Sequence, residues 1–134
     1  MAAPLYLDTS AVLRATLETG TTPGLERRIA NASALITSRL SLVESARALH
    51  RIRRSGEAAE AQLAEAESQI ARLWRRCEVW ELTAEVCELA EHIDPTQPLR
   101  TLDALHLATF MLARRHLGDL ELLTVDDRLA TAAG

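Results

Sequence analysis

The sequence predicts an α/β fold: three α/β/α layers around a mostly parallel sheet of about four strands. Three observations carry this. Short apolar runs alternate with longer segments of helical periodicity. No two-residue hairpin signal joins consecutive runs, so the strands are linked by helical crossovers. The 134 residues suit one α/β domain spanning 1–134, large enough to bury a core without staples.

Each element has its own justification. Leu5-Tyr6-Leu7 is a short apolar run with an aromatic residue and reads as a buried strand. Asp8-Thr9-Ser10 then leads into a helix over 10–18, with Ser and Thr as start signals. Asp8 therefore sits where a strand passes into a helix. That place suits a helix cap, and it is also the ligand-binding edge of an open α/β sheet. Residues 19–24, Thr-Gly-Thr-Thr-Pro-Gly, are the clearest turn cluster, followed by a helix over 25–32. Residues 34–37 form the second strand, and Ser38 caps a long helix over 39–54, closed by Ser55-Gly56. At 100° per residue Leu42, Ala46, Leu49 and Ile52 share one arc, and Glu44, Arg47, Arg51 and Arg54 the opposite one. That charged stripe reads either as a solvated face or as a line of cations starting beside an acid. A helix over 57–76, rich in Ala, Glu and Gln, keeps Leu63, Ile70, Leu73 and Trp74 apolar and forms a helical hairpin with its predecessor. Trp74, beside Arg72, Arg75 and Arg76, is expected in the core, with a partner-binding patch as the alternative. Residues 78–82 are the third strand, Thr83 caps a helix to His92, and 94–98 form a loop. A last long helix covers 101–117 with Asp103 in its first turn. A final strand covers 120–125, and Asp126-Asp127 open a short terminal helix.

Composition narrows the function classes. Hydrophobic content of 48% with 25% charged residues is that of an ordinary globular protein. No apolar run approaches the roughly 20 residues that cross a bilayer, and no signal peptide is recognisable, so a cytoplasmic location and no membrane partner are expected. Cys77 and Cys87 lie in no metal-like spacing and are expected as free thiols of a reducing compartment. The net charge of −4 does not advertise a nucleic-acid binder. All 15 basic residues are arginine, whose planar fork suits phosphate or carboxylate.

Three acids share one structural description. Asp8 ends the first strand, Asp103 opens a helix and Asp126 ends the last strand. In a parallel sheet such positions converge on one edge. Glu44, just inside the helix after the second strand, reaches the same crevice. Two carboxylates about 5 Å apart repel by roughly 3 kcal/mol at an effective dielectric of about 20. Selection for stability alone would not assemble four, whereas a hard divalent cation, Mg²⁺ or Mn²⁺, relieves the repulsion. A site of acids without His or Cys ligands argues against zinc.

Leu7-Asp8-Thr9-Ser10-Ala11, Leu42-Val43-Glu44, Thr101-Leu102-Asp103-Ala104-Leu105-His106-Leu107-Ala108 and Leu123-Thr124-Val125-Asp126 together resemble the PIN-domain ribonucleases. In particular they are similar to the VapC-type toxins of bacterial toxin–antitoxin pairs. The resemblance covers essentially the entire chain, with its motifs in the right order. It implies a PIN-like fold and a metal-dependent endoribonuclease that hydrolyses RNA phosphodiester bonds at carboxylates holding Mg²⁺ or Mn²⁺. By position Asp8, Glu44 and Asp103 match the core acids. Asp126 matches a fourth, less constant acid, with Asp127 as its local competitor. Thr9 or Ser10, and Thr124, match positions that support the cluster by hydrogen bonding. A homodimer is implied, as is a cognate antitoxin that inhibits the toxin in a hetero-oligomer.

Arg47, Arg51 and Arg54 suit either an RNA backbone or the carboxylates of an antitoxin tail. With only Tyr6, Trp74, Trp80 and Phe110 as aromatics, RNA is expected to be read by shape and backbone more than by base stacking. His106, three residues after Asp103, is expected as a structural histidine rather than a general base. The helix over 57–76 has no assigned role. Competing classes fare worse. A haloacid-dehalogenase-like phosphatase would want an acid where Ser10 stands, and a receiver domain would want a lysine. A PIN nuclease outside toxin–antitoxin systems and a non-catalytic PIN-like protein-binding module remain the alternatives.

Overall fold

Strand β1 (Leu5–Leu7) is the centre from which the fold is built, and all three of its residues are buried. The computed structural model describes residues 2–94 and 98–134. Strand β2 (Leu35–Ser38) pairs with β1 in parallel, Leu5 opposite Leu35. Strand β3 (Cys77–Trp80) extends the sheet beyond β2, and β4 (Glu121–Leu123) pairs with the other side of β1. The order is β3-β2-β1-β4 with every pairing parallel. Both faces of such a sheet must be covered, which is why its central strands are apolar at consecutive positions.

The alternation of side chains along the strands sorts the core into two layers. Leu5, Leu7 and Leu35 face one way and pack with residues of helices α1 (Thr9–Leu17), α2 (Leu25–Asn31), α3 (Arg39–Ser55) and α4 (Glu60–Arg76). Tyr6 and Ile36 face the other way. They pack with Leu107, Phe110 and Ala113 of α6 (Thr101–His116) and Leu129 of α7 (Asp127–Ala133). Helix α5 (Ala84–His92), N-capped by Thr83, adds Val86 against Ala108 and Leu112 of α6. The three-layer arrangement is the one expected. Among the described residues no helix is long and apolar enough to cross a membrane. Leu63 of α4, 1% exposed, is a keystone of the first layer. Leu63→Ala should lower stability by about 2–5 kcal/mol in urea titration, because the cavity it leaves adds to the lost transfer energy.

The structure differs from the sequence expectation in four places. Helix α4 begins at Glu60 rather than at residue 57. Gly56, at φ 71°, ends α3 in the left-handed region, and the chain needs the following residues to reverse direction. The last strand stops at Leu123 instead of reaching residue 125, because the Val125 N–H donates to the Ser10 hydroxyl instead of to a ladder. Strand β3 is displaced one residue earlier at its start and ends at Trp80. On α3 the buried residues are Leu40, Ser41, Ser45, Ala48 and Leu49, with Ala46 exposed. Small residues allow close approach here, and Trp74 Nε1 donates to Ser45 Oγ at 3.2 Å, so Trp74 lies half-buried against the core. The hairpin of α3 and α4 is tied by Arg53, which bonds Glu60 at 2.9 Å and Glu67 at 2.8 Å. Of the loop expected at 94–98, residues 95–97 lie outside the described residues.

Candidate active site

Parallel pairing places the C-terminal ends of the strands at one edge, and helices start there. Asp8 follows β1 and caps α1, its Oδ1 accepting from the Ala11 N–H at 3.0 Å. Ser38 ends β2 and caps α3, placing Glu44 in the second turn. Asp126 follows β4 and caps α7, its Oδ1 accepting from the N–H groups of Arg128 at 2.9 Å and Leu129 at 3.3 Å. Asp103 stands in the first turn of α6. Asp8 is thus both a cap and a member of the acid group.

These residues frame an open cavity of about 900 Å³. Glu44, Asp103 and Asp126 line it together with Ser10, Arg100 and Arg128; Asp127 also borders it. Asp8 lies beneath, 4% exposed. Its carboxylate is held from several sides. Ser10 Oγ lies 2.8 and 2.9 Å from its two oxygens, and Thr124 Oγ1 donates to Oδ2 at 2.5 Å. Thr124 Oγ1 also accepts from the Asp126 N–H at 3.0 Å, which couples the two acids through one hydroxyl. Burial pushes the Asp8 carboxyl above its usual range, against the hydrogen bonds from Thr124, Ala11 and Ser10.

Glu44 is held differently. Its Oε1 accepts from Thr9 Oγ1 at 2.7 Å and bonds His106 Nε2 at 2.6 Å. Burial raises its pKa, but these donors outweigh burial and hold the carboxyl below the ordinary value. Asp103 is pushed above its ordinary value by burial and by the charges of Asp126 and Glu44, with His106 and Arg100 opposing. Asp103 on α6 therefore feels the charges of Asp126 and Glu44 across the cavity. Thr9 and Ser10, left as alternatives by the sequence, each support a different acid.

The donor set suits a hard cation. The acids offer oxygen, and among the described residues Glu44 Oε2, both oxygens of Asp103 and Asp126 Oδ2 accept no hydrogen bond from the protein. Such unclaimed oxygens are what Mg²⁺ or Mn²⁺ takes. Among the described residues, no three His, Cys, Asp or Glu side chains stand close enough together to hold a metal ion as they are placed. The acids share a cavity rather than a point.

Arg47, Arg51 and Arg54 are exposed on α3 and do not line the cavity. Two cations on the wall itself, Arg100 and Arg128, were not picked out by periodicity. Both are exposed and, among the described residues, neither is ion-paired. The signal available was adjacency, since each sits next to a helix start that carries an acid. His106 is buried, as a structural histidine should be, yet it bonds Glu44 directly. Cys77 and Cys87 are free thiols that do not line the cavity, and burial pushes Cys77 up to about 12.

Comparison with known proteins agrees with this geometry. A PIN domain family model matches residues 5–134. Ribonuclease VapC45 and Ribonuclease VapC49, from two strains of Mycobacterium tuberculosis, are each 34% identical over 137 residues, covering 96% of this chain and 88% of the relative. Among solved structures, PAE2754 from Pyrobaculum aerophilum superposes with a TM-score of 0.65 at 20% identity, covering 100% of this chain and 83% of that one. Mycobacterium tuberculosis VapC20, described as a Sarcin-Ricin loop cleaving toxin, gives 0.61 at 20% identity, covering 96% and 94%. VapBC2 from Rickettsia felis, solved bound to a DNA fragment from its promoter, gives 0.60 at 13% identity, covering 92% and 99%. The family match over nearly the whole chain, the similarity to the two VapC ribonucleases and the acids at the strand ends lead to one conclusion: the chain belongs to the PIN-domain family, in its VapC group.

Proposed function

We propose that the protein is a metal-dependent endoribonuclease and the toxin of a toxin–antitoxin pair, with Asp8, Glu44, Asp103 and Asp126 as its site. One observation carries this: carboxylates of α3, α6 and α7 face a single cavity above a buried Asp8, with unclaimed oxygens on three of the four. The relatives named as VapC ribonucleases support the activity and the toxin role. The VapBC2 neighbour supports an antitoxin partner in a hetero-oligomer. A homodimer and a cytoplasmic setting complete the reading.

Glu44, Asp103 and Asp126 would hold Mg²⁺ or Mn²⁺, with Asp8 below them. When bound, such an ion supplies Lewis-acid stabilisation of phosphoryl charge and activates water. The protein's own groups do the rest. Ser10 and Thr124 hold the Asp8 carboxylate in one orientation, and Thr9 does the same for Glu44. Arg100 and Arg128 at the rim draw in the phosphate backbone that the acids alone would repel. Arg47, Arg51 and Arg54 extend this positive guidance along α3, or receive antitoxin carboxylates in the inhibited complex. The test is cleavage of an RNA oligonucleotide by purified protein with Mn²⁺ and with EDTA; cleavage indifferent to EDTA rejects the reading.

A separate expectation concerns the rim. Arg100→Ala and Arg128→Ala should each raise KM for RNA about threefold to tenfold with little change in kcat, and should flatten the salt dependence of binding by about one phosphate contact. Filter binding at several salt concentrations measures this. An unchanged slope in both variants removes the arginines from the RNA path.

A further inference from the structure

We infer that Tyr6 and His106 form a buried strut whose task is to aim Glu44, so that one carboxylate oxygen is fixed to the protein and the other is presented to the cavity. The inference rests on the acid site proposed above and deepens it.

The strut crosses the fold. Tyr6 stands on the central strand, one position from Leu7 and two from Asp8, and is fully buried. Its hydroxyl lies 2.9 Å from His106 Nδ1, and the two rings meet edge-on with centroids 6.1 Å apart. His106 is 3% exposed, and its other nitrogen lies 2.6 Å from Glu44 Oε1. A carboxylate only accepts, so Nε2 carries the proton toward Glu44. In the neutral ring Nδ1 is then the acceptor and the Tyr6 hydroxyl donates to it; in the imidazolium both nitrogens donate and the hydroxyl accepts, so the strut holds in either state. The Phe110 ring, at 5.9 Å from Tyr6, closes the other side and keeps the phenol from swinging away.

The geometry at Glu44 shows what this achieves. Thr9 and His106 both address Oε1. Oε2 keeps no protein partner among the described residues, and the side chain lines the cavity. A glutamate has three rotatable bonds and, left alone on a helix surface, samples many rotamers. Two directed donors on one oxygen restrict those rotamers and leave the second oxygen free in the cavity that Asp103 and Asp126 also line. Partners behind a metal-ligating carboxylate typically change affinity or activity by 10–100-fold when removed. His106 is thus a positioning residue acting through Glu44, and Tyr6 acts through His106.

The test uses the full chain and Mn²⁺ as probe. Tyr6→Phe removes one oxygen and preserves the packed ring, and its fold is checked by circular dichroism and thermal midpoint. His106→Gln keeps a donor that can reach Glu44, whereas His106→Ala keeps none. Mn²⁺ affinity is read by electron paramagnetic resonance, and kcat and KM for RNA cleavage are read alongside. Tyr6→Phe and His106→Ala should weaken Mn²⁺ binding about tenfold and lower kcat with little change in KM. His106→Gln should recover most of the affinity. In a Glu44→Gln background, Tyr6→Phe should have no further effect on Mn²⁺ affinity, because its target is gone. Native affinity in folded Tyr6→Phe and His106→Ala, or a full additional loss in the Glu44→Gln background, overturns the strut. If Glu44→Gln alone leaves Mn²⁺ affinity unchanged, the acid site itself is wrong, which is a different failure.

Discussion

Asp8→Asn should abolish RNA cleavage, lowering the rate by about 10³-fold or more, while leaving the fold intact and more stable. The catalytic loss follows from the place of the acid. Removing one carboxylate from a cation site forfeits on the order of 4 kcal/mol of transition-state stabilisation, and each 1.36 kcal/mol is a factor of ten. The gain in stability follows from burial. Asp8 is 4% exposed, and burial raises its pKa despite the hydroxyls and the N–H around it. The folded state of the metal-free protein therefore bears the cost of a desolvated charge that the unfolded chain does not. An amide has the same shape, and the hydroxyls of Ser10 and Thr124 can accept from its NH₂ where they donated before. Relief on the order of 1 kcal/mol is expected at neutral pH without divalent cations.

The sign of the pH dependence distinguishes this from generic stabilisation. The folded-state pKa of Asp8 lies above the model-peptide value of 3.8. In the window from about 3.8 up to the raised value the folded state binds more protons than the unfolded one, so this group's contribution to stability falls as pH rises through that window. The advantage of Asp8→Asn should therefore be full above the raised pKa, shrink as pH falls through it, and vanish near pH 3. Thermal scans of both proteins across pH 3–8 measure it. Asp103→Asn should behave similarly but more weakly, since Asp103 is only half-buried and part of its shift comes from Asp126 and Glu44.

The second large effect is that of the cation. Mn²⁺ at 100 times its Kd should stabilise the fold by about 2.7 kcal/mol. For a chain of 134 residues this is roughly 8 °C in thermal midpoint. The shift should disappear in Asp103→Asn and in Glu44→Gln. Removal of the cation should abolish cleavage reversibly, with activity restored by Mg²⁺ or Mn²⁺. A midpoint unmoved by Mn²⁺ in the native protein contradicts the site. The apparent affinity should also fall toward acid pH, because the raised carboxyls of Asp8 and Asp103 must release protons to bind.

The central features of this fold were legible because they rest on local rules. Leu5-Tyr6-Leu7 had to be a buried strand, and Asp8, Ser38, Thr83 and Asp126 each follow or end an extended segment with a side chain that caps a helix. The alternation of strand and helix then dictated a parallel sheet and a shared edge for the acids. What was not legible depends on contacts between distant residues. The last strand ends early because Ser10, more than 100 positions away, takes the Val125 N–H. Periodicity placed Ala46 inward on α3. Packing instead turned Ser41 and Ser45 in, because Thr37 donates to Ser41 Oγ at 2.8 Å and Trp74 to Ser45. The tie between His106 and Glu44 spans 62 positions and has no motif. The spacing from Asp103 to His106 carried a hint, since three residues bring a side chain onto nearly the same helix face. The stripe of Arg47, Arg51 and Arg54 drew notice through its regularity, yet the cations at the cavity are Arg100 and Arg128, each a single residue beside a helix start.

The central claim is that acids from four separate segments hold one pool of divalent charge in the cavity they share. Anomalous scattering from crystals of the native protein soaked in Mn²⁺ tests it most directly. The account predicts a manganese peak in the cavity, contacted by Glu44, Asp103 and Asp126 above Asp8, and no such peak in crystals of Asp103→Asn. Manganese bound only elsewhere on the surface, or an empty cavity at saturating Mn²⁺ in the native protein, would contradict it.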